Sequence, residues 1–242
     1  MRVTLAGKED VIDFLWKAIG YSLTGDTQED CLFLLYGAGA NGKSTFLNIL
    51  RALLGEYGKQ AAFSTFLYQE RDAVRNDLAD LRGARLVVAS EAEEGKRLSE
   101  SLIKALTGRD LIKTRFLFQE HFEFIPQMKL WLAANHKPVI RGTDYAIWRR
   151  IRLLPFTETF QGEACDKGLP DKLKAELLGI FAWAVRGCLA WQRDGLPLPQ
   201  SVKAATEEYR SDMDAVACFL EEKCICRPES TVPSSVLYGA YS

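Results

Sequence analysis

The stretch CLFLLYGAGANGKSTFLNILRALLG, residues 31–55, decides the fold. Cys31 to Tyr36 is a continuous apolar run of strand length, the pattern of a strand buried on both faces of a parallel sheet. From Lys43 to Leu54 the apolar residues Phe46, Leu47, Leu50 and Leu54 return at helical spacing, and Gly55 stops the run. Between strand and helix, Gly37, Ala38, Gly39, Ala40, Asn41, Gly42, Lys43 and Ser44, followed by Thr45, fit the pattern G-x-x-x-x-G-K-[ST]. The glycines let the backbone turn so that successive amides and the helix N-terminus face one anion. Lys43 is then placed to reach the outer phosphates of a nucleotide such as ATP, and Ser44 to hold Mg²⁺.

Working outward, the same alternation of buried strands and amphipathic helices continues. Apolar positions between Asp10 and Tyr21 predict a helix that braces the main body. Further buried strands are predicted at Arg85–Ala89, Lys129–Ala134 and Arg150–Leu154, with a helix from Ser99 to Leu106 closed by Gly108. Beyond Gly168 the chain reads as helical, with Leu173, Leu177, Ile180, Phe181, Ala184, Val185, Cys188 and Leu189 forming one apolar stripe. A last helix starts at Pro199 and carries Val202, Ala205, Tyr209, Met213, Val216, Phe219 and Leu220. The expectation is an α/β fold with a central, mainly parallel sheet and a C-terminal helical region.

Composition narrows the class. The 242 residues are 48% hydrophobic and 26% charged, which excludes a disordered or fibrous chain. No apolar run approaches the roughly 20 residues a bilayer requires, so a soluble, cytoplasmic protein without a membrane partner is expected. Cys31, Cys165, Cys188, Cys218, Cys224 and Cys226 contain no Cys-x-x-Cys pair and read as reduced thiols. The formal charge of −1 hides an asymmetry: between Lys96 and Pro155 twelve bases face five acids, a surplus of +7 that leaves −8 elsewhere.

Further positions carry candidate chemistry. Glu91 follows the second predicted strand, where a carboxylate could hold the Mg²⁺ water shell or polarise an attacking water; Glu93 and Glu94 follow closely. Asn135 ends the third strand, at the sheet edge where ligands bind in open α/β folds. Arg149 and Arg150 precede the fourth strand and offer the permanently charged guanidinium that phosphoryl transfer uses, supplied in ring ATPases by a neighbouring subunit. Phe116, Phe118, Phe122 and Phe124 alternate as a half-buried hairpin strand and read as its core, with stacking on the bases of a single strand as the alternative, while Lys113 and Arg115 on one strand face are candidates for gripping single-stranded DNA.

Together GAGANGKST, ARLVVASEAEEG, LIKALTGRDLIKTRFLFQEHFEF, KLWLAANHKP and WRRIRLLPF resemble, in order, the superfamily 3 helicase module of phage and plasmid primase-helicases, related to the poxvirus primase-helicase. The resemblance runs from about Phe14 to Tyr241. It implies an AAA+-like P-loop ATPase that translocates 3′ to 5′ on single-stranded DNA as a hexameric ring. By it Lys43 and Ser44 are the Walker A pair, Glu91 the Walker B carboxylate, and Asn135 the sensor before the arginines. Lys113 falls in the family's DNA-tracking hairpin. One departure is that Ser90 and Ala92 flank Glu91, where many P-loop ATPases have adjacent acids, which leaves Glu94 in reserve for the metal and base roles. The resemblance also implies a bacterial host, and a primase and a winged-helix domain in the full-length chain. The expected divisions are a helical brace over 1–26, the ATPase core over 27–160, the helical region over 161–226, and a linker with the start of a winged-helix-like domain over 227–242. A small-molecule P-loop kinase with an arginine-bearing lid, or a nucleotide-gated loader that does not unwind DNA, remains the alternative.

Overall fold

The computed structural model describes residues 5, 7–70, 75–90, 94–142, 144–214, 219–220, 223–224 and 231–241. In chain order the helices are α1 (Glu9–Ser22), α2 (Lys43–Leu54), α3 (Asn76–Ala79), α4 (Glu100–Thr107), α5 (Tyr145–Trp148), α6 (Leu169–Ala175), α7 (Leu177–Asp194), α8 (Gln200–Met213) and α9 (Ser234–Tyr241). The strands are β1 (Leu32–Tyr36), β2 (Gly58–Gln60), β3 (Leu86–Ser90), β4 (Ile112–Thr114), β5 (Phe122–Phe124), β6 (Lys129–Ala134) and β7 (Ile151–Pro155). Among the described residues no helix is long and apolar enough to cross a membrane.

Five strands form one parallel sheet in the order β2-β3-β6-β1-β7. Because side chains alternate across a strand, each buried strand feeds two cores. Leu32, Leu34, Leu130, Leu132, Ile151 and Leu153 pack on one face with α4, α5 and α8, whereas Phe33, Leu35, Trp131, Ala133 and Leu154 pack on the other with α1, α2 and α7. This two-sided burial is why the strands read as unbroken apolar runs. β4 and β5 form a separate antiparallel hairpin inserted between α4 and β6.

The structure corrects two expectations. The region 116–118 belongs to no strand: β4 ends at Thr114, and Phe116 and Phe118 lie in the exposed tip, so only Phe124 is core and Phe122 partly so. The stripe read along α7 is buried only in part: Ala184 is buried and Cys188 packs against the core, but Phe181, Val185 and Leu189 are exposed, and Gly187, Ala190 and Trp191 complete the buried face instead. The reason is a close crossing with α1. A Cβ on Gly20 would collide with the Gly187–Cys188 backbone, and one on Gly187 with the Trp16 carbonyl, so the smallest residues set the seam and exclude larger ones.

Candidate functional site

All five parallel strands point the same way, so their C-terminal ends share one edge, and there β1 turns into residues 37–42. Gly37 is buried where a Cβ would meet the Asn41 amide and the Phe156 carbonyl. Gly39, Ala40 and Gly42 have φ of 108°, 49° and 82°, left-handed values that suit the two glycines and cost Ala40 strain. The loop is pinned at both sides: Phe160 N–H donates to the Ala40 carbonyl at 2.7 Å, and Asn41 Nδ2 donates to the Phe156 carbonyl at 3.1 Å.

Lys43, only 5% exposed, is the hub. Its Nζ donates to the Gly37 carbonyl at 2.5 Å, Asn41 Oδ1 at 2.9 Å and Asn135 Oδ1 at 3.1 Å. Burial holds its ammonium below the usual lysine range, so an anion arriving beside it is favoured by the charge it stabilises. Gly39, Ala40, Asn41, Gly42, Lys43, Ser44 and Thr45 line a cavity of about 330 Å³, completed by Ser90, Ala133 and Asn135. Gly37 and Ala38 are absent from that lining; Gly37 supports the loop from beneath. A larger groove of about 520 Å³ runs along the flank of α2 toward Pro170 and Lys174 and shares only Thr45 with the first.

Asn135, at the end of β6, is thus brought to Lys43 by parallel pairing of β1 with β6. The residues after it are tied to α8: Lys137 Nζ pairs with Asp212 Oδ2 at 2.7 Å and lies 5.5 Å from the ring centres of both Tyr36 and Tyr209. The buried Tyr209 hydroxyl donates to the Pro138 carbonyl. Tyr209 lies in no motif and Lys137 only near the end of KLWLAANHKP, and only the helical spacing of Tyr209 hinted at this clamp. Glu91 and Glu93 lie outside the described residues. Glu94 is exposed, its carboxylate 3.9 Å from His136 Nδ1. Among the described residues no group of three or more His, Cys, Asp or Glu could hold a metal, which leaves the exposed Ser44 hydroxyl as the described candidate ligand.

Arg149 and Arg150 are not brought to this cavity. They precede β7 at the opposite, N-terminal edge, a strand length of roughly 17 Å away. Their surroundings differ. Arg150 Nε donates to Thr107 Oγ1 at 3.1 Å and Nη1 to the Ala146 carbonyl at 2.7 Å, whereas Arg149 is exposed and pairs with Asp30 at 3.6 Å. On the hairpin, Lys113 is exposed but sits directly across from Glu123. From 109 to 123 three bases (Arg109, Lys113, Arg115) meet three acids (Asp110, Glu120, Glu123), so the hairpin itself has no basic surplus.

The model of a family of unknown function (DUF5906) matches residues 35–150. The chain is 28% identical over 228 residues to "Putative helicase L207/L206" of Acanthamoeba polyphaga mimivirus, covering 86% of this chain and 24% of that protein. It is 27% identical over 251 residues to "Putative helicase 022R" of Frog virus 3, covering 94% and 25%. To "Primase D5" of Fowlpox virus it is 28% identical over 157 residues, covering 60% and 19%. The chain spans about a quarter of the length of the first two of these relatives. Among solved structures, an apo structure of the NrS-1 C terminal region superposes with a TM-score of 0.65 at 10% identity, covering 90% of this chain and 52% of that one. The chain is therefore similar to large-DNA-virus proteins named as helicases and primases, and shares the fold of the NrS-1 C terminal region.

Proposed function

We propose that the chain is the ATPase core of a superfamily 3-type DNA helicase within a longer primase-helicase, coupling Mg-ATP hydrolysis at subunit interfaces to movement along single-stranded DNA. The observation that carries this reading is the convergence of Lys43, Asn41 and Asn135 on one cavity at the end of a glycine loop. The donor set fits a nucleoside triphosphate. Left-handed Gly39 and Gly42 turn the loop around the cavity, and α2 begins at Lys43 with its N-terminal amides available to an anion. Mg²⁺, when bound, supplies charge neutralisation on the phosphates, with Ser44 and, from the sequence, Glu91 as the residues that would hold it.

This chain's own groups divide the work. Lys43 exchanges its three internal oxygen acceptors for phosphate oxygens, and Asn135, released from Lys43, presents an amide able to orient water. Arg149 serves the cavity of a neighbouring copy, a reading supported by the strand length between it and its own loop and by its exposed guanidinium. A ring of copies, with six expected from the resemblance, satisfies that need. The same edge-to-edge separation counts against a monomeric kinase with an arginine lid.

The test is ATP hydrolysis with and without single-stranded DNA, alongside strand displacement on a tailed duplex. DNA-stimulated hydrolysis with displacement is expected. Phosphate transfer to a small acceptor without DNA stimulation would overturn the reading, and ATP-dependent DNA binding without displacement would make the chain a loader.

A further inference from the structure

The hairpin tip presents a ring that the fold does not use. Phe118 is 95% exposed and sits at φ 63°, a left-handed backbone that a bulky residue adopts only at an energetic cost. Phe116, by contrast, lies 5.9 Å from the Phe122 ring, and Arg82 covers Phe122 at 5.1 Å. Among the described residues no ring contact reaches Phe118.

The tip is nevertheless held. Gln119 N–H donates to the Phe116 carbonyl at 3.0 Å, Leu117 N–H to Asn76 Oδ1 at 2.7 Å, and Thr114 Oγ1 to the Arg75 carbonyl at 3.1 Å. An anchored turn that spends conformational energy to project one aromatic ring into solvent is built for a ligand that covers a ring. With Lys113 opposed by Glu123 and the hairpin electrically balanced, phosphate attraction is a small part of what this element offers.

We propose that Phe118 stacks on an unpaired base of single-stranded DNA, with Arg115, three residues earlier in the same hairpin, as the phosphate contact. This rests on the DNA-translocating reading above and adds how the strand is held: through base faces, which every base possesses, so the grip is sequence-tolerant.

The full chain should be titrated with an oligodeoxythymidylate and with an equally long oligonucleotide of abasic sites. The wild-type protein should prefer the former by about ten-fold, the scale of one base stacked on an aromatic ring. Phe118→Ala should lose that preference, Phe118→Trp should keep it, and Arg115→Ala should weaken both probes alike. The thermal midpoint of Phe118→Ala should stay unchanged or rise, since the ring supports nothing. A wild-type protein that binds both probes equally, or a Phe118→Ala variant that still discriminates, would overturn the stacking role while leaving the helicase reading intact. Failure of the wild-type chain to bind either probe would overturn the DNA reading and this role together. Loss of a sized oligomer in Phe118→Ala without loss of discrimination would assign the ring to a contact between copies instead.

Discussion

At the C-terminal edge of the sheet, Lys43 is buried and its ammonium has three oxygen partners; at the hairpin tip, Phe118 stands in solvent on a strained backbone held only through its neighbours. The loop keeps its shape through internal bonds that a phosphate can replace one for one, so binding there needs little reordering. The tip instead displays surface that the fold leaves uncovered, and on the proposed reading its stabilisation arrives with the ligand. One site is prepared for charge and the other for area. Substitutions should separate them.

The largest effect is expected at the loop. Lys43→Ala should remove measurable ATP hydrolysis in a phosphate-release assay while the circular dichroism spectrum is retained, though with a lowered midpoint, since Asn41 and Asn135 lose their shared partner. Hydrolysis at the wild-type rate would dissolve the contrast by showing that the loop is not the site.

Next in size is the arginine pair. Arg149→Ala should slow hydrolysis by about 10³-fold without changing stability, and mixing it with Lys43→Ala subunits should restore activity at hybrid interfaces. Arg150→Ala should instead cost about 1–3 kcal/mol in thermal or urea unfolding, because it leaves Thr107 and the Ala146 carbonyl without their donor. If no mixture recovers activity, the exposed arginine has no trans role.

Smaller still, Gly37→Ala should destabilise by about 1–3 kcal/mol and weaken nucleotide binding, as its Cβ would displace Asn41 from the Phe156 carbonyl. The smallest effect has the opposite sign. Phe118→Gly should stabilise by roughly 0.5–1 kcal/mol, the left-handed strain relieved less the extra entropy a glycine loses on folding. A destabilised Phe118→Gly would mean the ring is part of the fold and would erase the comparison.

How much of this was legible in the residues follows from the range of the forces involved. The loop and its strand are encoded locally: a buried parallel strand is apolar throughout, and a tight turn with left-handed backbone favours glycine, so the strand, loop and helix of residues 31–54 declare themselves. Asn135 was legible for the same reason, as the first polar residue after the apolar run Leu130–Ala134 of β6. The face of α7 was not, because Gly20 and Gly187 meet across 167 positions and their missing side chains leave no periodic signal. The hairpin misled in its own way. Alternating phenylalanines mimic a strand, but a three-residue β4 ends at Thr114 and the turn consumes Phe116 and Phe118. Likewise, adjacent Arg149 and Arg150 are chemically identical, and only the presence of Thr107 and the Ala146 carbonyl beside one of them distinguishes support from exposure.

β7 has a consequence for timing in the proposed ring. One of its ends is followed by Phe156, whose carbonyl holds Asn41 in the glycine loop; the other is preceded by Arg149, which the proposed ring assigns to the next copy. A single five-residue rod therefore joins the pocket a subunit owns to the pocket it serves. Any nucleotide that shifts Asn41 pulls on the same strand that aims Arg149. Firing order around the circle would then be set by a mechanical linkage within each copy, with no messenger needed between distant parts of the ring.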